Sequence, residues 1–339
     1  MKAALIYDEV TARGDGSWVE AEYESPETIE ALLGAMAAHC EEVAPIPLRA
    51  SLVEDLRREA PDLALNIAEG REGPSRESIV PIVLDHLGIP YTGSDGVTLG
   101  ISLNKALTKR LAAGAGIRTP RSAVFESGAE AAGRCGELDF PVLVKPNFGG
   151  SSVGIGPDSL VHDPQDLPAL VDHHVALYEQ PCLVEHYVQG VDVTVGLLGN
   201  GQPEVLPAGK VTTSNGMYSA RAKEKHDRQI TCPCRLPKGL AERLANWSRR
   251  VYDLLGARDF ARVDYILDEG GRAHFLEINP LPGLSPYYGV FPVLAAAAGY
   301  SHTDLIGAIM DLALERYRRT RSPAYERLAG RAAQQCHHC

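Results

Sequence analysis

Two carboxylates, an amide and an arginine occupy alternating positions in the last third of the chain. Asp264 follows Arg262 by two positions, and Asn279 follows Glu277 by two. Side chains alternate between the faces of a strand, and the turn at residues 268–271 predicts a hairpin, so all four side chains can face one site. Carboxylate and amide oxygens suit Mg²⁺, which takes its other ligands from water and phosphate. The pattern therefore predicts Asp264, Glu277 and Asn279 as metal ligands, with a solvated face bearing a surface salt bridge as the alternative.

A loop rich in glycine and serine, residues 149–154, offers backbone amides and hydroxyl groups that could enclose an anion. It is neither a Walker loop nor a dinucleotide fingerprint, because it lacks the Gly-Lys-Ser/Thr ending and no helix is predicted after it. Lys145 lies upstream at the end of an apolar segment, where a buried ammonium group needs an anion. Together with Ser151 and Ser152, Lys145 predicts a phosphate site. A plain turn and a lysine whose head group reaches solvent are the alternatives.

The elements that must position these residues predict a mixed α/β and α+β protein. Residues 2–7 and 63–67 have the composition of strands, and Ser25 followed by Pro26 predicts the start of a helix. We also predict an antiparallel pair in which residues 153–156 form the second strand. The chain of 339 residues suits several units of about 100 to 150 residues. The predicted units are an open α/β lobe at residues 1–97, a small central lobe at 98–186, a sheet-centred lobe at 187–320 and a disordered tail at 321–339.

Composition and charge exclude several classes of protein. The net charge is -11 and the basic residues are scattered, so a nucleic-acid partner is not expected. No segment approaches the roughly 20 apolar residues of a membrane span, and the N-terminus lacks the pattern of a signal peptide, which predicts a cytoplasmic protein without a membrane partner. The seven cysteines are an odd number and are expected to be reduced. The tail at residues 336–339 combines two thiols with two imidazoles, but it lacks the spacing of a structural zinc site.

Several motifs resemble, in order, those of the D-alanine–D-alanine ligase family, whose members have the ATP-grasp fold. The resemblance covers residues 62–318 in outline and is specific because the motifs occur together. The motifs are Leu87-Gly88-Ile89-Pro90-Tyr91-Thr92-Gly93-Ser94, Asn104-Lys105, Val144-Lys145-Pro146 with Gly150-Ser151-Ser152-Val153-Gly154, Val184-Glu185, Arg262-Val263-Asp264, and Leu276-Glu277-Ile278-Asn279 with Pro282-Gly283.

The resemblance implies ATP and two Mg²⁺ ions, for which Mn²⁺ could substitute, with amino acids as substrates and a homodimer as a common assembly. It also implies a role for each matching residue. Lys105 and Lys145 hold phosphates, Glu185, Tyr187 and Val188 recognise adenine, Asp192 holds the ribose, and Asp264, Glu277 and Asn279 bind the metal ions. Arg262 and the amide of Gly283 stabilise the oxyanion. Ser151 and Ser152 belong to the phosphate loop, and Ser151 also orders the first substrate. Lys223 belongs to a lid that closes over the γ-phosphate.

This resemblance implies formation of a dipeptide through an acyl phosphate, with release of ADP and phosphate. One alternative is a nucleotide-binding sensor that no longer ligates. The retained Arg262 argues against a sensor, because a protein that only binds nucleotide has no need to stabilise an oxyanion. A dinucleotide-dependent dehydrogenase is excluded, because no Gly-x-Gly-x-x-Gly follows the first strand.

The chain departs from the family pattern in segments that would face the amino acids. The usual N-terminal glycine-rich motif and its glutamate are missing, and Glu22 or Glu24 could replace that glutamate. The alternative is an acidic patch that only stabilises the N-terminus of the following helix. The family's His-Gly stretch is replaced by residues 66–73, and Glu224 stands where a tyrosine usually follows the lid lysine. In the family, a Ser-Leu pair receives the carboxylate of the second substrate, and residues 287–289 stand in its place here. A site built around particular hydrogen bonds rejects substrates that cannot complete them. These departures argue against two D-alanines as the substrate pair and make a dipeptide ligase that joins other amino acids, in specialised metabolism, the close alternative to a ligase of cell-wall synthesis.

Overall fold

The computed structural model describes residues 1–9, 22–71, 73–213 and 228–320. Its N-terminal part is a parallel three-stranded sheet in which β1 lies between β2 and β3, with helices packed against it. The elements are β1 (Lys2–Tyr7), α1 (Pro26–Ala37), β2 (Glu42–Pro47), α2 (Leu52–Glu59), β3 (Leu63–Asn66) and α3 (Ile79–Leu87).

Local capping explains the start of α1, as the sequence predicts. The Ser25 hydroxyl accepts a hydrogen bond from the N–H of Thr28 at 3.3 Å, and Pro26 occupies the first turn. A single bridge between Ala64 and Tyr91 adds residue 91 to the edge of β3. Strand β2, which contains two prolines, was not predicted, because proline removes a ladder donor and favours an edge position such as the one that β2 occupies.

The central part is an antiparallel four-stranded sheet in the order β4-β7-β5-β6. Its elements are α4 (Gly96–Leu103), α5 (Lys105–Gly114), β4 (Ser122–Phe125), α6 (Gly128–Arg134), β5 (Val142–Pro146), β6 (Leu160–Val161), α7 (Leu167–Tyr178) and β7 (Cys182–His186). The predicted strand at residues 153–156 is wrong, because residues 151–154 form turns and β5 pairs with β6 instead. Ser151, Ser152 and Gly154 have positive φ angles, which a strand cannot contain.

The C-terminal part is a six-stranded antiparallel sheet in the order β11-β10-β8-β12-β13, with β9 paired to β8. Its elements are β8 (Gly190–Leu198), β9 (Glu204–Val205), β10 (Gly209–Thr213), β11 (Arg228–Thr231), α8 (Leu240–Leu255), β12 (Phe260–Asp268), β13 (Ala273–Asn279), α9 (Val290–Ala297) and α10 (His302–Thr320). The predicted hairpin is confirmed as β12 and β13, which are joined by a turn.

Apolar packing and a buried ion pair connect the first and last sheets. Leu5 and Leu32 share one core with Phe291 and other residues of α9 and α10. Asp259 is fully buried, and its carboxylate lies 2.8 Å from Nη2 of Arg316. The same carboxylate accepts the N–H of Gly93 at 2.8 Å. These contacts position the lobes around the cavity described below. Within the described part of the chain, no helix is both long and apolar enough to cross a membrane.

Candidate active site

A cavity of about 460 Å³ is lined by residues of the central and C-terminal sheets and by connecting segments of the N-terminal part. It brings together every candidate residue that lies in the described part of the chain. These are Glu22, Lys105, Lys145, Ser151, Ser152, Glu185, Tyr187, Val188, Asp192, Arg262, Asp264, Glu277, Asn279 and Gly283. The remaining candidate, Lys223, lies outside the described residues.

A buried carboxylate on β7 holds two lysine ammonium groups at one side of the cavity. Oε1 of Glu185 lies 2.5 Å from Nζ of Lys145, and Oε2 lies 2.7 Å from Nζ of Lys109. Burial raises the pKa of Glu185, but the two ammonium groups outweigh burial and lower it to about 2. Burial lowers the pKa of Lys109 to about 8, against the attraction of Glu185. The arrangement keeps Glu185 ionised and holds Lys145 extended along the cavity wall.

Lys105 occupies the first position of α5 because Asn104 interrupts the helical run. Oδ1 of Asn104 accepts the N–H of Leu107 at 3.0 Å and thereby caps α5. Nζ of Lys105 lies 3.1 Å from Oε2 of Glu277 and donates to the carbonyl oxygen of Gly149. Lys105 therefore connects the glycine-rich loop to the carboxylates of the hairpin.

The hairpin of β12 and β13 places the four predicted side chains together. Asp264 pairs directly with Glu277 across the two strands, and Arg262 pairs with Asn279. The register shifts between Asp264 and Tyr265, and such irregularities often lie beside active sites. Nη2 of Arg262 lies 2.9 Å from Oδ2 of Asp264. Burial raises the pKa of Glu277, but Lys105 and Lys145 outweigh it and lower the pKa to about 2.

The donor set of this hairpin fits magnesium. Asp264 and Glu277 supply two carboxylates on one cavity wall, and Oδ1 of Asn279 already accepts the N–H of Leu281 at 3.0 Å while keeping a second lone pair. In the described residues, no group of three or more His, Cys, Asp or Glu side chains could hold a metal ion by itself. Two carboxylates and an amide are too few for a closed protein site, but they match a cation that shares its shell with phosphate and water.

The glycine-rich loop folds into tight turns at the edge of the cavity. Ser151 and Ser152 adopt φ angles of 51° and 59°, which cost energy for residues other than glycine. A Cβ atom at Gly154 would lie 2.6 Å from Cδ of Pro146, so only glycine fits there. Successive turns of this kind direct backbone N–H groups to one side, which is the geometry of an anion-binding loop.

The connection between β7 and β8 completes the nucleotide side of the cavity. Tyr187 and Val188 lie in this connection, and the N–H of Tyr187 donates to the carbonyl oxygen of Pro141 at 2.9 Å. Asp192 is half-buried on β8. Burial and the neighbouring Asp264 raise the pKa of Asp192 to about 7, although Lys145 opposes the shift.

The part of the cavity wall that includes Glu22 and Glu24 is acidic, and we call it the acidic end. Glu22 is almost fully buried, and its carboxylate accepts from the guanidinium of Arg76 and from the N–H of Gly150. It therefore joins the first lobe to the glycine-rich loop. Glu24 accepts the hydroxyl of Tyr288 at 2.5 Å, and a Cβ atom at Gly283 would lie 2.9 Å from Oε1 of Glu24. Both glutamates considered as replacements for the family's missing one thus line the cavity.

Comparisons with known proteins agree with this geometry. A family described as D-ala D-ala ligase C-terminus matches residues 111–311. A D-alanine–D-alanine ligase of Desulforudis audaxviator is 35% identical over 291 residues, which cover 84% of this chain and 92% of that protein.

The chain belongs to the D-alanine–D-alanine ligase family.

It is an ATP-dependent ligase of that family. An uncharacterised protein of Sinorhizobium fredii is 36% identical over 260 residues, or 75% of each chain. Among solved structures, the D-alanine–D-alanine ligase of Bacillus anthracis, complexed with ATP, has a TM-score of 0.73 at 25% identity and covers 95% of this chain and 99% of that one. The ATP-grasp fold expected from the motifs is therefore confirmed.

Three residues that line or support the cavity of this ligase were not among the predicted site residues. Lys109 contacts Glu185, Arg76 contacts Glu22, and Glu77 lines the acidic end. The position of Lys109, one helical turn after Lys105, was the only available signal for it. No local pattern marks Arg76 or Glu77, because each reaches the cavity through tertiary packing.

Proposed function

We propose that this ligase activates an amino-acid carboxylate with ATP and joins it to the amine of a second amino acid. The observation that carries the proposal is the single cavity that gathers lysines, a carboxylate hairpin and a glycine-rich loop from separate lobes. The family match supports the reaction class, and the ATP complex of the Bacillus anthracis ligase supports the nucleotide. We also propose lobe boundaries at residues 1–97, 98–186 and 187–320.

The nucleotide would lie between the central and C-terminal sheets. Lys105 and Lys145 are cations beside the glycine-rich loop and would neutralise phosphate charge. The ionised Glu185 and the backbone of the connection through Tyr187 and Val188 would meet the adenine, and Asp192 would accept from ribose hydroxyl groups. Backbone donors and acceptors in this connection can distinguish adenine because they are fixed by β7 and β8.

We assign two Mg²⁺ ions to Asp264, Glu277 and Asn279. Magnesium held by these side chains would neutralise phosphate charge and lower the cost of the negative charge that develops during transfer. The ion pairs of Asp264 with Arg262 and of Glu277 with Lys105 show that this protein compensates these carboxylates with cations of its own.

The ligation step has a simple atom balance. A carboxylate oxygen of the first substrate bonds to the γ-phosphorus as ADP leaves, and the amine nitrogen of the second substrate then bonds to the acyl carbon. Phosphate leaves with the carbon–oxygen bond pair, and the amine loses a proton. Arg262 and the N–H of Gly283, which line the cavity, would stabilise the tetrahedral oxyanion between these events. Ser151 would orient the first substrate, and Lys223 would belong to a lid that excludes water.

We further propose that the amino acids differ from two D-alanines. The acidic end carries Glu22, Glu24 and Tyr288, and Glu69, from the segment that replaces the family's His-Gly stretch, also lines the cavity. A different set of hydrogen-bonding groups selects a different substrate. A homodimer and a cytoplasmic location are further proposals, and the family resemblance supports both.

Incubation with ATP, Mg²⁺ and pairs of D- and L-amino acids tests the proposal. We expect ADP release that depends on both amino acids, with a dipeptide detected by mass spectrometry. Release of ADP with one amino acid and no dipeptide would favour hydrolysis over ligation. ATP binding with no ADP release across the whole amino-acid panel would favour the sensor and overturn the proposal.

A further inference from the structure

The cavity wall contains a buried hydroxyl group that the proposed reaction does not use. Thr194 lies on β8, lines the cavity and is 3% exposed. Its Oγ1 atom is buried and has no hydrogen-bond partner among the described residues. A hydroxyl group that is removed from water without a partner costs free energy. The hydroxyl therefore destabilises the protein unless a later step of the reaction gives it a partner.

Thr194 lies directly opposite one of the residues assigned to the metal ions. In the register of β8 and β12, Thr194 pairs with Asp264, which in turn pairs with Glu277 on β13. Directly opposed side chains point to the same face of a sheet, with Cβ atoms about 4.5–5.5 Å apart. At that separation a hydroxyl group can donate to a carboxylate that turns toward it. Thr194 thus lies in one row with both carboxylates of the hairpin.

The side chain of Thr194 is held in place from its other side. Thr194 also pairs with Gly209 on β10, and a Cβ atom at Gly209 would lie 3.4 Å from Cγ2 of Thr194. Because threonine is branched at Cβ, packing of its methyl group fixes the hydroxyl group as well. A hydrogen bond between Thr194 and Asp264 therefore requires the Asp264 carboxylate to move, and Thr194 can stay where it is.

The Asp264 carboxylate is turned to a different partner in this structure. Nε of Arg262 donates to Oδ1 and Oδ2 of Asp264 at 3.0 and 3.1 Å, and Nη2 donates to Oδ2 at 2.9 Å. The proposed reaction uses both residues elsewhere, because Asp264 binds a metal ion and Arg262 stabilises the oxyanion. When Arg262 turns to the oxyanion, Asp264 loses these hydrogen bonds. It then needs another donor to keep its carboxylate in one orientation.

We infer that Thr194 is a positioning residue for Asp264, and that its hydroxyl donates to one carboxylate oxygen while the carboxylate binds the metal ion. The inference rests on the proposed function and adds a residue to its metal site. A donor behind a metal-binding carboxylate fixes which oxygen faces the ion. Removal of such a donor commonly weakens metal binding by about 10- to 100-fold.

Metal binding tests the inference without relying on turnover. Mn²⁺ takes the place of Mg²⁺, and its binding is measured by electron paramagnetic resonance in the presence of a non-hydrolysable ATP analogue. We expect Thr194→Val, which removes the hydroxyl but keeps a branched side chain, to raise Kd for Mn²⁺ by at least about tenfold. Thr194→Ser keeps the hydroxyl and should bind Mn²⁺ nearly as the wild type does. Binding of the analogue without metal should be unchanged in both variants.

Thr92 provides the matched control. Its hydroxyl is also buried without a partner among the described residues, but Thr92 does not line the cavity. Thr92→Val and Thr194→Val each remove a buried, unpartnered hydroxyl, so neither should lower the unfolding temperature. Only Thr194→Val should weaken Mn²⁺ binding, whereas a purely structural role would leave Mn²⁺ binding unchanged in both variants. Thr194→Ala must show the same loss of Mn²⁺ binding as Thr194→Val.

The outcomes separate the inference from the function on which it rests. If Asp264→Asn loses Mn²⁺ binding while Thr194→Val and Thr194→Ala bind Mn²⁺ as the wild type does, the inference is wrong and the metal site stands. If Thr194→Val weakens binding of the analogue equally with and without Mn²⁺, the hydroxyl serves the nucleotide and the inference is also wrong. Normal Mn²⁺ binding by Asp264→Asn would contradict the metal assignment of the proposed function, and the inference would fail with it.

Discussion

The two ends of the cavity treat buried carboxyl groups in opposite ways. At the nucleotide end, Glu185 is buried and Glu277 is half-buried, and lysines hold the pKa of each at about 2. At the amino-acid end, Glu77 is also buried, but it faces another carboxyl group and its pKa rises to about 7. Burial is common to both ends, so the difference comes from the cations. The nucleotide end contains lysines that can turn to phosphate, whereas at the amino-acid end a single buried arginine, Arg76, faces both Glu22 and Glu77.

Removing a carboxylate from the nucleotide end tests this contrast most strongly. We expect Asp264→Asn or Glu277→Gln to lower kcat for ADP release by at least about 10³-fold, because loss of several kcal/mol of charge stabilisation corresponds to a factor of that size. Asp268→Asn is the matched control, since Asp268 lies at the far end of the same hairpin and pairs with Arg272. Near-normal turnover in both site variants would show that the metal site lies elsewhere.

Removing a lysine from the same end should have a smaller effect, mainly a rise in KM for ATP. In Lys145→Met, Glu185 keeps Lys109 as a partner, so the carboxylate stays ionised while one phosphate cation is lost. We expect KM for ATP to rise by about tenfold or more and KM for the amino acids to change little. Steady-state kinetics with each substrate varied in turn measures the split. The exposed Lys238→Met serves as the control, and an equal rise for all substrates would argue against a phosphate role.

Some residues of the site could be predicted from the sequence because their positions depend on local structure, and others could not because their positions depend on tertiary packing. The hairpin ligands were predictable because strand periodicity is local and places Asp264 and Glu277 on one face. The position of Lys109 against Glu185 was not, because it depends on how α5 packs on β7. The pairing of Glu22 with Arg76 likewise depends on the first lobe closing onto the glycine-rich loop. Residues 153–156 misled the prediction, because alternating glycines resemble a strand pattern but adopt turns.

The pH dependence of stability should distinguish the two ends. A carboxyl group with a raised folded-state pKa stabilises the protein below its unfolded value, near 4.5 for Glu77, and this contribution is lost as the pH rises through about 7. Glu185 has a lowered pKa, so its contribution is present above about 4.5 and is lost as the pH falls toward 2.

We therefore expect Glu77→Gln to gain stability relative to the wild type between pH 5 and pH 8. The expected gain is on the order of 3 kcal/mol, since one pKa unit corresponds to about 1.4 kcal/mol. Urea unfolding at the two pH values measures it, with Glu41→Gln as the control. A difference between variant and wild type that is the same at both pH values would mean that Glu77 is ionised in the free protein, and the contrast between the two ends would fail.

The smallest expected effect concerns a single hydroxyl group at the amino-acid end. The hydroxyl of Tyr288 donates to Glu24 at 2.5 Å and accepts from the N–H of Ser25 and the hydroxyl of Thr28, each at 3.1 Å. Tyr288→Phe removes these bonds but keeps the ring, and Tyr288→Ser opens space as well. Because one net hydrogen bond contributes about 0.5–1.5 kcal/mol, we expect KM for the amine-donating amino acid to change by about 3- to 10-fold in Tyr288→Phe.

Tyr288→Ser should additionally change which amine-donating amino acid is preferred, because a smaller side chain enlarges the subsite. KM for ATP should stay near its wild-type value in both variants. Tyr300→Phe breaks a similar bond, from Tyr300 to Glu204 at 2.9 Å, outside the cavity and is the matched control. If the cavity has a separate nucleotide end and amino-acid end, the Tyr288 variants must change the use of the amine-donating amino acid without changing KM for ATP. Weaker ATP binding in Tyr288→Phe with unchanged use of the amine would place Tyr288 on the nucleotide side and remove the boundary between the ends.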